Sequence, residues 1–236
     1  GGAFAGGLQP GGASVRRVAV FGGTFDPVHL GHLVPTVGAA ETFGFSQVVF
    51  IPAFDPPHKQ GAVLAPFSHR FAMLALATQP YDRFFVSDLE MGRPGPTYTV
   101  DTLQEFTRRC PESEVYFLLG SDSFSQIETW HRWQELVDLA HLVVLHRATV
   151  WGDKLLELVP TRLKERVTPV RLFEPVPDPP PGRKLVYLLE HEPFPVSASL
   201  IRERLQAGQT ISELVPPEVH RWIVKYGLYH QVSHGC

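Results

Sequence analysis

Apolar residues along this chain gather in short, β-branched runs separated by stretches of helical spacing. Val15–Phe21 is apolar apart from Arg16 and Arg17, and Gln47–Ala53, Glu114–Leu119, His141–Leu145 and Lys184–Leu189 repeat the pattern. Nearly continuous runs of this kind belong to strands buried on both faces, as in a parallel sheet. Arg83–Leu89 is a further candidate strand. Between these runs, Ser68–Ala77 and Thr99–Arg109 place apolar residues on one helical face, the second stopping before Pro111. Helical pieces follow Gly120-Ser121-Asp122 through Trp130 and Leu139, and two short helices close the chain: Ser199–Gln206, ended by Gly208, and Pro217–Lys225, ended by Gly227. The alternation predicts an α/β fold, a Rossmann-like, mostly parallel sheet with helices on both faces and a small carboxy-terminal helical part. Ligand groups then belong at the carboxyl ends of strands, where Gly22, Gly120 and Asp122 stand.

Some segments are less regular. Asp153–Arg166 has helical spacing interrupted at Pro160, and Pro175–Pro181 reads as an extended linker. Residues 15–236 are expected to form one domain with a less regular insert near 148–183. The glycine-rich residues 1–14 read as a flexible extension.

Composition narrows the function classes. With 44% hydrophobic residues the chain can bury a substantial core, and its net charge of −3 lacks the basic excess of a nucleic-acid binder. Cys110 and Cys236 form no C-x-x-C pair, so neither a zinc site nor a disulfide framework is indicated and a reducing cytoplasm is expected. No apolar run approaches the roughly 18 residues of a membrane span.

The densest chemistry lies in Phe21–His32 (FGGTFDPVHLGH). A buried strand runs into Gly22 and Gly23, which permit a sharp turn and close approach of a ligand to the main chain. With a helix starting near Val28 or His29, His29 and His32 share a face of its first turn, where free amides and the helix dipole favour an anion. Two histidines at this spacing can also be half of a metal site, but no nearby Cys or acidic residue has the ligand spacing to complete it, and no protein-held metal is expected. Asp26, before Pro27, is read as orienting the turn. Ser197 and Ser199 precede Arg202 at a second strand-to-helix turn, offering hydroxyls and a guanidinium to phosphate oxygens, or simply a helix cap beside a solvated arginine. Lys59 follows the stiff Pro56-Pro57 pair and is placed to meet phosphate, or is an exposed loop lysine. Gly120 and Asp122 suit a nucleoside, the glycine by close approach and the carboxylate by accepting ribose hydroxyls; Asp122 as a helix N-cap is the competing reading.

Taken together, GGTFDPVHLGH, Pro56-Pro57-His58-Lys59, RPGPTYTVDTL, Gly120-Ser121-Asp122, Thr129-Trp130 and VSASLIR resemble, in order and spacing, the bacterial nicotinate mononucleotide adenylyltransferases of the H-x-G-H nucleotidyltransferase superfamily. The likeness spans roughly Arg17–Tyr229 and is weakest between Ala148 and Arg183; Val196 and Ser199 depart mildly from the family pattern. It implies transfer of AMP from ATP to nicotinate mononucleotide in NAD biosynthesis, with Mg²⁺ delivered on ATP. It further implies that the backbone of Gly22, Gly23, Thr24 and Phe25 holds phosphate, with His29, His32, Lys59 and Arg202 catalytic. His58, Thr99 and Trp130 would form the nicotinate pocket. Taken singly, Thr99 equally reads as a helix N-cap, and Trp130 with Trp133 as a core stripe.

Overall fold

The structure is a computed structural model that describes residues 15–57, 64–147, 156–157, 159–192 and 194–230. Seven strands form one sheet: β1 (Arg16–Gly23), β2 (Gln47–Pro52), β3 (Phe84–Val86), β4 (Ser113–Gly120), β5 (His141–Arg147), β6 (Val167–Val170) and β7 (Val186–His191). They lie in the order β3-β2-β1-β4-β5-β7-β6, and every pairing is parallel. The sheet is therefore wholly parallel, beyond the mostly parallel one expected.

Strand periodicity divides the core in two. Ala19, Phe21, Phe50, Tyr116, Leu118, Val143 and Tyr187 face one layer, and Val18, Val20, Val49, Ile51, Phe117, Leu119 and Val144 the other. The first layer is covered by α1 (Leu30–Phe43), α2 (Phe67–Thr78), α6 (Ala198–Gln206) and α7 (Pro217–Tyr226). The second is covered by α3 (Thr99–Arg109), α4 (Ser121–Ser125) and α5 (Trp133–Leu139). Helices thus occupy both faces, and the two carboxy-terminal helices are part of one of those layers.

Three local expectations change. The strand expected over Arg83–Leu89 shrinks to the three residues of β3, an edge strand paired only to β2, because Met91 turns back to donate to the Asp88 carbonyl at 2.8 Å. Within the expected helix Asp153–Arg166, residues Thr161–Arg166 form a 3₁₀ turn that leads into the unforeseen strand β6. Pro169 sits in that strand, which an edge position with one partner tolerates. The proline-rich connector is no loose linker. Arg17 donates to the Val176 carbonyl and to Asp178, both at 2.9 Å, while Phe173 N–H donates to Thr42 Oγ1 at 2.9 Å. With Leu172 and Val176 packed on the first core layer, this segment takes the place of a crossover helix between β6 and β7. Among the described residues, no helix is long and apolar enough to cross a membrane.

Candidate active site

β1 and β4 are neighbours at the centre of the sheet, and successive strands leave them in opposite directions. A crevice opens at such a switch point. Here it is a cavity of about 850 Å³, lined at the strand ends by Gly22, Gly23 and Gly120. Residues from the first turns of α1, α3, α4 and α6 line it too, so four helix N-termini converge on one space.

The first turn of α1 is built around its histidines. His29 is the N-cap in extended conformation (φ −146°, ψ 174°), so the helix proper starts at Leu30. The His29 N–H donates to His32 Nδ1 at 3.1 Å, and the two rings stack with centroids 3.7 Å apart. An Nδ1 that accepts carries no proton, which places the proton of the neutral His32 ring on Nε2. Leu30 N–H donates to the Leu214 carbonyl at 2.9 Å, and the His32 and Leu33 amides return to the His29 carbonyl. Much of the helix terminus is therefore satisfied internally, and the histidine side chains are left as its main contribution to the cavity.

The two glycines act through space and not through unusual dihedrals. A Cβ on Gly22 would stand 3.3 Å from the Phe117 ring and one on Gly23 3.3 Å from the Phe25 ring. The left-handed conformation falls instead on Phe25, with φ +50°. Its buried ring packs within 4.9–5.9 Å of His32, Phe21 and Phe50, contacts that offset the strain of that backbone. Gly31 has the least room: a Cβ there would lie 2.8 Å from Val196 Cγ1 and 2.9 Å from two atoms of the His29 ring.

On the facing wall, Ser197 caps α6 by accepting from Leu200 N–H at 3.1 Å, and Ser199 lines the cavity. Arg202 does not line it. Its guanidinium donates to the Asp26 carbonyl at 2.8 Å and to Ser199 Oγ at 3.3 Å, two residues that do. Asp26 is 1% exposed; its Oδ1 accepts from Ala65 N–H at 3.2 Å and from the Tyr229 hydroxyl at 2.6 Å. It is an anchor between distant segments as well as part of a turn.

The third wall holds Thr99 and Trp130. Tyr98, not Thr99, is the N-cap of α3, leaving Thr99 in the first turn at the cavity. Trp130 is half-buried against the second core layer, edge-on to Phe117 with centroids 6.2 Å apart. Beside it Tyr98 and His131 stack at 4.1 Å. Asp122 is the second residue of α4, whose cap is Gly120, so it lines the cavity without capping that helix. A Cβ on Gly120 would meet no atom within 4 Å, so packing does not demand a glycine there.

Glu90, 6% exposed, also lines this wall. Burial pushes its carboxyl up from the ordinary 4.5 to about 7, against the pull of Thr97, Arg93 and Thr102. The folded state holds this proton where the unfolded chain has released it, so stability falls as pH rises from about 4.5 to 7 and levels off above. Glu90→Gln is expected to flatten that fall and to gain up to about 3 kcal/mol at pH 8. Urea melts of both proteins at pH 5 and pH 8 read this directly; equal pH slopes would contradict it.

The profile described as cytidylyltransferase-like matches residues 20–204. A Thermomicrobium roseum protein named "probable nicotinate-nucleotide adenylyltransferase" is 38% identical over 219 residues, covering 93% of this chain and 94% of its own. One of the same name from Saccharopolyspora erythraea is 37% identical, covering 91% and 90%. The chain belongs to the cytidylyltransferase-like family, in its nicotinate-nucleotide adenylyltransferase branch. In fold it is similar to the Plasmodium falciparum nicotinic acid mononucleotide adenylyltransferase complexed with NaAD, with TM-score 0.69 and 21% identity, covering 91% of this chain and 97% of that one.

For a member of this family, the structure gathers most of the expected residues on one cavity. Gly22, Gly23, Thr24, Phe25, His29, His32, Thr99, Gly120, Asp122, Trp130, Ser197 and Ser199 all line it. Arg202 stands behind the Asp26–Ser199 wall, and His58 and Lys59 lie outside the described residues. Among the described lining residues there is no Lys or Arg, whereas Asp26, Glu90 and Asp122 are acidic. Glu90 and His131 carry no signal in the sequence, and Tyr98 stands out there only as part of RPGPTYTVDTL; all three line the cavity, as does Gly31. Gly31 was visible inside H-x-G-H, but only the ring of His29 standing over it reveals its importance.

Proposed function

We propose that this protein transfers the adenylyl group of ATP to nicotinate mononucleotide, giving nicotinate adenine dinucleotide and pyrophosphate. The observation that carries the reading is the His29–His32 pair, locked ring on ring at a helix N-terminus on the cavity wall, in a chain of this family. A phosphate oxygen of the mononucleotide attacks the α-phosphorus as the bond to the β-phosphate oxygen breaks, and the electron pair leaves with pyrophosphate. The nucleophile is already ionised near neutral pH, so the protein needs to position and to neutralise charge. His32, donating from Nε2, and His29 stabilise the charge gained by the transferred and leaving phosphate oxygens.

In this reading the backbone of Gly22–Phe25 and the turn at Ser197 and Ser199 hold the triphosphate, with Arg202 and Lys59 as counter-charges. Gly120 gives the adenosine close access to the backbone and Asp122 accepts from its ribose. Trp130 stacks on the pyridine ring while Thr99, with main-chain amides and His58, receives its carboxylate. Mg²⁺ would arrive with the triphosphate and would supply charge neutralisation there; among the described residues, no group of three or more His, Cys, Asp or Glu is placed to hold it.

Initial rates of pyrophosphate release with ATP and Mg²⁺, using nicotinate or nicotinamide mononucleotide as acceptor, test the assignment. Preference for the acid is expected. Preference for the amide would overturn the acceptor, and no release with either would leave a nucleotide binder.

A further inference from the structure

The turn after α7 reaches back to the site across 203 residues. Tyr229 follows the left-handed cap Gly227 and itself has φ +66°, a backbone conformation that is costly for a bulky side chain. That conformation accompanies one polar contact: the Tyr229 hydroxyl donates to Asp26 Oδ1 at 2.6 Å. Asp26 is buried, and its other oxygen lies 4.0 Å from Arg202 Nη1, which also donates to the Asp26 carbonyl. A short bond to a buried carboxylate is worth more than a neutral one and fixes its plane.

The remaining neighbours hold the backbone on which this contact acts. Arg70, 2% exposed, donates to the carbonyls of Ala65, Thr24 and Ala53 at 2.7–2.9 Å, and the Ala65 amide in turn donates to Asp26. The main chain around Asp26 is therefore pinned without Tyr229. What the phenol adds is the setting of the carboxylate that faces the guanidinium of Arg202. Burial and the adjacent Asp26 charge hold the phenol far above its ordinary range, so it remains a donor at any physiological pH.

We propose that Tyr229 is a positioning residue for adenylyl transfer: its hydroxyl sets Asp26, and Asp26 holds Arg202 at the triphosphate end of the cavity. This rests on the reading of Arg202 as a phosphate contact. It assigns the carboxy-terminal turn a part in the reaction, although that turn contributes no lining residue to the cavity.

Kinetics of the full chain carrying Tyr229→Phe, Arg202→Ala or both test the proposal. Tyr229→Phe is expected to lower kcat/KM for ATP about tenfold and Arg202→Ala about thirtyfold, the range of hydrogen bonds to charged groups. KM for nicotinate mononucleotide should stay within twofold in Tyr229→Phe, since Thr99 and Trp130 are untouched. In the Arg202→Ala background, Tyr229→Phe should change kcat/KM by less than twofold, because its route of action is gone. If the two losses multiply in the double variant, Tyr229 acts elsewhere and the proposal is overturned. If Arg202→Ala alone behaves like the parent enzyme, the phosphate reading of Arg202 fails and takes the proposal with it. Equal rises in KM for ATP and for the mononucleotide in Tyr229→Phe would mark a general structural role and overturn it as well.

Discussion

His32→Ala is expected to lower kcat by about 10²–10³ while leaving the affinity for ATP within a few-fold, the scale for deleting one donor to charge that develops in the transition state. The ring is held on three sides: its Nδ1 accepts the His29 N–H, its face stacks on His29, and its edge meets Phe25 at 4.9 Å and Phe21 at 5.9 Å between centroids. A side chain so constrained loses little entropy on reaching the transition state and delivers its donor with a fixed tautomer. Alanine removes that donor and also the acceptor for the His29 amide, a lost cap that costs about 1 kcal/mol of stability. The two effects separate experimentally. Single-turnover rates with saturating ATP report the chemistry, a thermal melt reports the cap, and binding of a non-hydrolysable ATP analogue reports the ground state. Near-normal single-turnover rates would remove His32 from the mechanism; tenfold weaker analogue binding with unchanged turnover would make it a ground-state contact.

The sheet was legible because parallel strands buried on both faces must be apolar at nearly every position, and β1, β2, β4 and β5 are. Thr99–Arg109 was legible to the residue, its strongly amphipathic face ending where Pro111 forbids continuation. β6 was not, since a four-residue strand containing proline carries no periodicity and forms only because β7 offers an edge. The site divides in the same way. Its chemistry sits in short contiguous segments, GGTFDPVHLGH above all, and such segments announce themselves. Its support does not: Asp26 meets Tyr229 and Arg202 across 203 and 176 residues, and nothing local in the chain couples them. Glu90 likewise looks like an ordinary loop carboxylate until burial among Thr97, Thr102 and Arg93 moves its proton affinity. The paired glycines meet a packing demand that the chain does not announce, the rings of Phe117 and Phe25 standing 3.3 Å from where their Cβ atoms would be, while the positive φ belongs to Phe25.

Gly31→Ala should separate activity from stability. One methyl group, added inside α1, would stand 2.8 Å from Val196 Cγ1 and 2.9 Å from both His29 Nδ1 and Cε1, distances that require movement. Val196 is 2% exposed and β-branched, so it has no alternative rotamer to escape into without disturbing the first core layer. The His29 ring is thus the group that gives way, and it carries its stacked partner His32 with it. A displacement near 1 Å at a catalytic group is worth about 10² in rate, so kcat is expected to fall about a hundredfold. Stability moves much less: alanine gains roughly 0.5–1 kcal/mol of helix propensity against about 1–3 kcal/mol of overpacking. The net loss of about 0–2.5 kcal/mol lowers Tm by at most about 10 °C, which leaves the protein folded at assay temperature. Adding Val196→Ala removes the closest clash and should restore part of the lost rate, since the new methyl can then settle toward Val196 and leave the His29 ring nearer its place. Full activity in Gly31→Ala would mean that the ring tolerates displacement and that its stacked geometry is incidental to catalysis; a rate loss that Val196→Ala leaves untouched would place the damage in the histidine contact alone.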